Sequence, residues 1–291
     1  MTNALVLFRE ALQCAYGPID WLPVADGEIH RFHVPGDKPG RHNGWYVLFE
    51  DGIASGAFGS WKAGGASTWS SRRPADPLEA QLIAQRIAQA RQQRDSQQQQ
   101  RQQRAADSAA RLWHEARRAN PAHSYLTRKR IQPHGLRQLG EVLLVPLCAD
   151  GRLVNIQRIE PDGAKRFLFG GQVRGAYAAL GRIEPGSRLH IVEGWATGAT
   201  VHEQTGAPVA CAMNAGNLQP VALALRARYE RQQIIIAGDD DRMTEGNPGR
   251  RAAMAAAVAV GAEVSFPEWP EGAPLALTDF NDLAVWSADH E

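Results

Sequence analysis

Cysteine is scarce in this sequence of 291 residues, and its three cysteines are widely separated, so that none forms a CxxC pair. A structural zinc site needs roughly four Cys or His ligands at close spacing. The first 75 residues offer only Cys14, His30, His33 and His42. We therefore predict a protein without zinc, and isolated cysteines of this kind favour a reducing cytoplasm.

Long apolar runs are also missing. No stretch approaches the roughly 18 apolar residues of a membrane span, and the N-terminal MTNALVLFREALQC lacks the basic, apolar and cleavage regions of a signal peptide. We expect a cytoplasmic protein without a membrane partner. Hydrophobic residues at 44% and charged residues at 22% are typical of a folded globular chain.

The net charge of +1 conceals an asymmetry along the chain. Residues 109–182 carry 13 basic and 5 acidic side chains, a balance of +8, whereas residues 183–291 carry 7 basic and 15 acidic ones, a balance of −8. A basic block beside an acidic block suits a protein that holds a phosphate backbone with one part and metal ions with the other. Chance variation between domains explains the same numbers equally well.

Four segments are predicted from pattern and composition. Residues 1–77 alternate apolar and turn residues, as in a small β-rich domain. Residues 78–118 are helical, but 8 Gln and 4 Arg within residues 91–104 leave nothing to bury, which indicates a solvated helix or linker. Residues 119–182 form a basic α+β unit with a turn at Asp150-Gly151, and residues 183–291 form the last domain.

The last domain alternates strictly between strands and helices. Strands are predicted at LHIVEG, PVACAM, QIIIAGD and AEVSF, with helices between them that end near Gly206 and Gly261. The apolar run Ile234–Ile236 belongs on a strand covered on both faces, which indicates a parallel sheet. The predicted fold class is α/β, with helices on both sides of this sheet.

Acidic residues follow two of these strands. Glu193 comes after HIV, and Asp239 and Asp241 come after IIIAG, so loops on one sheet edge bring them together. Carboxylates in close proximity need a cation, and oxygen ligands favour Mg²⁺ or Mn²⁺. Gly194 and Gly238 would leave room for a phosphate. Unrelated acidic turns and helix caps are the alternative reading.

The strings IVEGWATG and IIIAGDDD resemble the Toprim domain of bacterial primases, topoisomerases, recombination mediators and some nucleases. The resemblance implies that Glu193 is the catalytic glutamate and that Asp239 and Asp241 are the metal-binding pair, all three being catalytic. Asp279 and Asp282 stand where many primases have another acidic motif, and they join the expected metal ligands.

The upstream segments AHSYLTRKRI, VPLCADGRLVNIQRI and AKRFLFGG are similar to the front of the polymerase domain in DnaG-type bacterial primases. The resemblance covers about three-fifths of the chain, residues 119–291. It implies that Arg158 and Lys165 contact nucleotide and template. Further candidates for nucleotide or DNA binding are Lys129, Arg130, Arg166, Gly194 and Asn214.

Two departures from the family are visible. Trp195-Ala196-Thr197 replaces the segment in which replicative members have an aspartate, a variant similar to primases of plasmids, phages and other mobile elements. The zinc ribbon has no cysteine counterpart; residues 26–72 are its zinc-free relative or an unrelated module. Trp45, Tyr46, Phe49, Phe58 and Trp61 are the expected hydrophobic substitute for the metal.

The resemblance implies a DNA primase that makes RNA primers on single-stranded DNA from nucleoside triphosphates, with Mg²⁺ or Mn²⁺ and with a replicative helicase as a candidate partner. A Toprim nuclease is the alternative enzyme. A weakened single-stranded-DNA-binding replication adaptor is the alternative without catalysis, since one acidic residue and the zinc ligands are missing.

Overall fold

A computed structural model describes residues 4–60, 65–184 and 186–290. The chain divides into two compact units, Met1–Gln99 and Gln100–Glu291. None of the helices in the described ranges combines the length and the apolar character that a membrane crossing requires.

The first unit packs a helix on a four-stranded antiparallel sheet of order β1-β2-β3-β4. Its elements are α1 (Ala4–Tyr16), β1 (His30–Phe32), β2 (Gly44–Phe49), β3 (Ser55–Ser60) and β4 (Ser67–Ser70). The core is largely aromatic: Phe8 of α1 makes edge contacts with Tyr46, Phe58 and Trp69. Burial of these rings provides the hydrophobic area that lets so small a sheet fold.

Three of the aromatic residues expected to replace a zinc site are buried, and Phe49 is partly buried. Trp45, Tyr46 and Phe58 are each at most 6% exposed, and Trp61 lies outside the described residues. Of the candidate ligands, Cys14 is exposed on α1, and His30 Nε2 lies 2.9 Å from Asp26 Oδ1. The absence of zinc stays a prediction.

The Gln/Arg-rich segment belongs to a long helix, α2 (Pro77–Glu115), and the division between the two units falls within it. None of residues 92–104 is buried, as a solvated helix requires. Further on, Ala105 and Ala109 are 6% and 0% exposed. This part of α2 belongs to the second unit. Its Leu112 and Trp113 pack against Leu144 and Ile156.

The front half of the second unit is an antiparallel sheet of order β5-β6-β7-β8-β9. A tight hairpin turn joins its two longest strands through Asp150 and Gly151, whose φ values of 49° and 76° are those of a type I′ turn. The elements are β5 (Arg117–Arg118), α3 (Ser124–Lys129), β6 (Arg137–Leu139), β7 (Val142–Ala149), β8 (Arg152–Ile159) and β9 (Lys165–Phe167).

The back half is the predicted α/β layer, with sheet order β10-β12-β11-β13-β14. Strands β12, β11, β13 and β14 are parallel, whereas β10 pairs antiparallel with β12, an edge that the sequence pattern did not predict. The elements are β10 (Ala178–Leu180), β11 (Arg188–Val192), α4 (Trp195–Thr205), β12 (Val209–Cys211), α5 (Ala215–Arg228), β13 (Gln233–Ala237), α6 (Pro248–Val260), β14 (Glu263–Ser265) and α7 (Phe280–Ala288).

Both faces of the parallel sheet are covered, as the apolar run Ile234–Ile236 predicted. Helix α4 packs on one face, and α5 and α6 pack on the other. Gly206 and Gly261 end α4 and α6 in the left-handed conformation. The fold class predicted from the sequence is therefore confirmed.

One hydrophobic core joins the front and back halves of the second unit. It contains Val145, Leu147 and Ile159 from the front sheet together with Val192 and Trp195 from the back layer. Residues 119–182 and 183–291 thus fold against each other, which fixes the basic strands relative to the acidic sheet edge.

We expect Gly198→Val to destabilise the second unit, because the α-carbon of Gly198 leaves no room for a side chain between α4, Cys211 and Val192. Overpacking at such a contact costs about 2–3 kcal/mol. Urea unfolding would measure it as a lower midpoint. Ala224→Val, on the exposed face of α5, is the matched control and should cost only about 0.5 kcal/mol. Equal shifts in the two variants would contradict the close packing of α4.

Candidate active site

Acidic side chains from separate elements meet at the carboxyl edge of the parallel sheet. Strands β11 and β13 are adjacent, with Val192 opposite Ala237. Glu193 and Asp239 therefore leave the same sheet edge, although 46 positions separate them. Burial, together with the charges of Glu193 and Asp279, raises the pKa of Asp239 to about 8. The expected convergence of these carboxylates is present in the structure.

Glu193 follows β11, and its carboxylate accepts a hydrogen bond from the first residue of α5. Burial and the charge of Asp241 raise its pKa, while the backbone N–H of Ala215 and the ammonium group of Lys165 act in the opposite direction. Ala215 is the first residue of α5, and Asn214 is its N-cap. A helix N-terminus favours a negative charge. The start of α5 therefore offsets part of the cost of burying the Glu193 carboxylate.

The three consecutive aspartates have different surroundings. Asp241 accepts a hydrogen bond of 2.8 Å from the backbone N–H of Gly249 at the start of α6. Asp240 accepts bonds from Asn247 Nδ2 at 2.7 Å, Trp269 Nε1 at 3.1 Å and Arg250 Nη1 at 3.3 Å. Burial of Asp240 raises its pKa, but these three hydrogen bonds outweigh burial, and the net pKa is lowered.

The carboxylate of Asp239 is the least compensated of the three by hydrogen bonds. Its Oδ1 atom is buried and accepts no hydrogen bond from the described residues. An unpaired buried oxygen that repels its neighbours is costly in the isolated protein. A cation bound at this edge would offset that cost.

Asp279 is the N-cap of α7, and its Oδ1 accepts a hydrogen bond of 2.9 Å from the backbone N–H of Asp282. Burial and the charge of Asp282 raise its pKa, and Lys129 and the hydroxyl of Thr197 partly offset this rise. Thr197 belongs to the segment that departs from the family pattern. Its hydrogen bond joins α4 to the acidic edge.

Asp282 is already engaged within the protein. Its Oδ1 lies 3.0 Å from Lys129 Nζ, and its Oδ2 accepts the backbone N–H of Thr278 at 3.1 Å. The neighbouring Asn281 is 1% exposed and donates to the Lys129 carbonyl at 2.7 Å and to Thr200 Oγ1 at 2.9 Å. These contacts attach α7 to α3 and α4.

Lys165 reaches the acidic edge from β9. Its Nζ lies 5.8 Å from the ring centroid of Tyr125. The side chain keeps access to solvent, but crowding by protein and the charge of Lys129 lower its pKa, against the attraction of Asp279, Asp239 and Glu193. Lys165 is thus a solvent-accessible cation beside several carboxylates.

Lys129 also lies beside these carboxylates, whereas the three arginine candidates do not share the position of Lys165. Arg158 and Arg166 are opposite each other on β8 and β9, whereas Lys165 is opposite Ile159 on the other face. Arg158 pairs with Glu160 at 3.5 Å. Arg130 pairs with Asp289 on the surface. The structure thus separates Lys165 from Arg158 and Arg166, which the sequence had grouped.

The two glycines expected to admit a phosphate differ. A side chain at Gly194 would meet only Thr197 Oγ1, at 3.6 Å, so the backbone is open there. At Gly238 the space is taken by Ala253 and Phe266. The expectation for Gly238 is wrong, because that glycine serves the packing of α6 on the sheet.

Three residues that sequence reasoning missed shape the site: Tyr125, Asn247 and Asn281. Asn247 stands before Pro248-Gly249 and caps α6, and that Asn-Pro helix-start signal was readable in the sequence. Tyr125 and Asn281 gave no local signal, because their partners lie on other elements.

The donor chemistry at this edge suits a hard divalent cation. The candidate ligands Glu193, Asp239 and Asp241 offer only oxygen, which Mg²⁺ and Mn²⁺ prefer. Within the described ranges, no group of three or more His, Cys, Asp or Glu side chains is arranged to hold a metal ion by itself. Mg²⁺ commonly takes one or two carboxylates and completes its shell with water and substrate phosphates, and the residues present fit that mode of binding.

Comparison with known proteins identifies the back half. Residues 188–288 match the family model of the Toprim domain, which confirms the resemblance noted in the sequence. The chain is also 36% identical to a DNA primase TraC of Escherichia coli over 288 residues, and 36% identical to a second protein of that name and organism over 280 residues.

These alignments cover 91% and 92% of this chain but only 26% and 19% of the relatives. The chain therefore spans about a quarter or less of the curated relatives it matches. A chain from a solved complex of the bacteriophage T7 lagging-strand DNA polymerase with primase domains of two gp4 subunits is 20% identical, covering 60% of this chain and 92% of its own length. Its TM-score of 0.40 is too low to support a functional conclusion.

Replacing Asp239 or Asp240 by asparagine should change the free energy of unfolding in opposite directions. Between the ordinary pKa of an aspartate and about 8, the folded protein holds a proton on Asp239 that the unfolded chain has lost, so stability falls as pH rises. In metal-free protein at neutral pH, Asp239→Asn should therefore raise the free energy of unfolding by about 1–2 kcal/mol.

Asp240→Asn is the matched control. The pKa of Asp240 is lowered in the fold, so this carboxylate stabilises the protein above its unfolded pKa, and the variant should lose about 1 kcal/mol. Chemical denaturation in chelator at pH 4 and pH 7.5 would measure both effects. A destabilised Asp239→Asn at pH 7.5 would contradict the repulsion described for the acidic edge.

Proposed function

We propose that this chain, whose residues 188–288 are a Toprim domain, is a DNA primase that synthesises RNA primers on single-stranded DNA. The observation that carries the proposal is the position of Lys165 on the basic front sheet, against the carboxylates of the Toprim edge. A lysine beside several carboxylates suits metal-dependent transfer of a nucleotide to a growing chain. The 36% identity to DNA primase TraC supports the same conclusion.

The proposed metal ligands are Glu193, Asp239 and Asp241, with Asp279 beside them. Mg²⁺ or Mn²⁺ would supply neutralisation of phosphate charge at this edge. The raised pKa values of Glu193 and Asp239 support this assignment, because carboxylates that repel one another gain most from a cation. Asp282 is better assigned to positioning, since both of its oxygens already have partners.

The protein's own groups have distinct proposed roles. Lys165 binds the phosphates of the incoming nucleotide, and the open backbone at Gly194 allows those phosphates to approach the start of α4. Asn214, the N-cap of α5, is a further phosphate contact. Lys129 holds Asp282 and thereby orients α7 and Asp279. Arg158 and Arg166, on the other face of the sheet, bind the template backbone.

The primary test is incorporation of labelled ribonucleotides on single-stranded DNA with Mg²⁺. Glu193→Gln, Asp239→Asn and Asp241→Asn should each lower primer synthesis by at least about 100-fold, because the cation loses a ligand at the reacting phosphate. Asp150→Asn, in the turn between β7 and β8, is the matched control and should keep full activity. Hydrolysis of DNA without synthesis would favour a Toprim nuclease, and DNA binding with neither reaction would favour a replication adaptor.

Lys165→Ala and Arg158→Ala should separate the two basic surfaces. Lys165→Ala should raise the KM for nucleotide and lower kcat, with little change in DNA affinity. Arg158→Ala should weaken single-stranded DNA binding by roughly threefold to tenfold at low salt, and the loss should shrink as salt rises because counterion release drives such contacts. Fluorescence anisotropy and steady-state kinetics measure these effects. Identical profiles for the two variants would contradict the separation.

A further inference from the structure

The outer face of α5 and α6 is apolar where solvent would be expected. Beyond Arg251, every exposed residue of α6 is apolar: Met254, Ala255, Val258 and Ala259. Val258 is 84% exposed, and Met254 is 52% exposed. A helix that is apolar on both its buried and its outer face is usually covered by a further element.

These residues line a groove of about 790 Å³, which also includes Gln219 of α5 and Gly246, Asn247, Arg250 and Arg251 at its other end. Leu223 continues the apolar face one turn after Gln219 and is 47% exposed. The 13 residues of α6 extend over about 20 Å. The groove therefore has the length of about three to four helical turns.

Charge is confined to one end of this groove. Arg250 is held by Asp240 at 3.3 Å and by the ring of Phe266. The guanidinium of Arg251 has no ion pair among the described residues, and no acidic residue lines the groove. The N-terminus of α6 adds positive potential at the same end. An occupant with negative charge at that end would be complementary.

We propose that the outer face of α5 and α6 binds an amphipathic helix of a partner protein, with apolar residues in the groove and Asp or Glu against Arg251. A stable dimer of this chain would need roughly 1,200–2,000 Å² of buried surface, more than a single groove of this length provides. A single helix needs only this groove. Asn247 lines the groove and also bonds Asp240 and the backbone of Asp241, so the occupant would touch the loop that carries the acidic triplet.

Two synthetic helical peptides of about 14 residues test the proposal. Both carry Leu at positions i, i+3, i+4 and i+7; one has two Glu in an end turn, and its twin has two Lys there. By fluorescence anisotropy, the full chain should bind the Glu peptide at least about tenfold more tightly than the Lys peptide. Val258→Asp should weaken that binding at least tenfold, and Arg251→Glu should reverse the preference.

Leu78→Asp is the matched control, because Leu78 is also an exposed apolar residue on a helix, and it should leave binding unchanged. Circular dichroism establishes that each variant is folded. Equal binding of the two peptides, or unchanged binding by Val258→Asp, would overturn the proposal. A dimer in sedimentation equilibrium that Val258→Asp dissociates would also overturn it, in favour of a second copy of the chain.

Discussion

Repulsion among carboxylates at one sheet edge is the constraint on which the rest of the second unit depends. Glu193, Asp239 and Asp279 each have a pKa raised by burial and by the charges of neighbouring carboxylates. The fold offsets part of this cost with the N-termini of α5 and α6, which donate backbone hydrogen bonds to Glu193 and Asp241. The repulsion that is not offset leaves a site that positive charge would stabilise. A divalent cation and Lys165 would supply that charge.

The hydrophobic core shared by the front sheet and the Toprim layer holds lysines of one half against carboxylates of the other. Lys165 and Lys129 come from the front half, and they act on carboxylates of the back half. Lys129 is held to Asp282 at 3.0 Å, and its pKa is raised because Asp279 and Asp282 outweigh its burial. A flexible connection between the two halves could not keep such pairs in place, whereas interdigitated apolar packing can.

The acidic triplet shows how neighbouring residues of one type acquire different roles. Asp240 accepts three hydrogen bonds from side chains and serves the loop, while Asp239 keeps a buried oxygen without a partner. Asn247 is the residue that makes this difference, since it caps α6 and bonds both Asp240 and the backbone of Asp241. Stability and the proposed chemistry are therefore divided within three consecutive positions.

The sequence alone determined the order of the four parallel strands of the last domain and of the helices between them, the helix ends at Gly206 and Gly261, and the meeting of Glu193 with Asp239 and Asp241. Each of these follows from local periodicity, glycine conformation or the shared edge of parallel strands. The last helix, α7, was not predicted. Only the tertiary structure decided that β10 is antiparallel, that Gly238 serves packing, that Asp282 pairs with Lys129, and that Lys165 and Arg158 lie on opposite faces. Those outcomes depend on strand register and on contacts between separate elements, and neither can be read from local sequence.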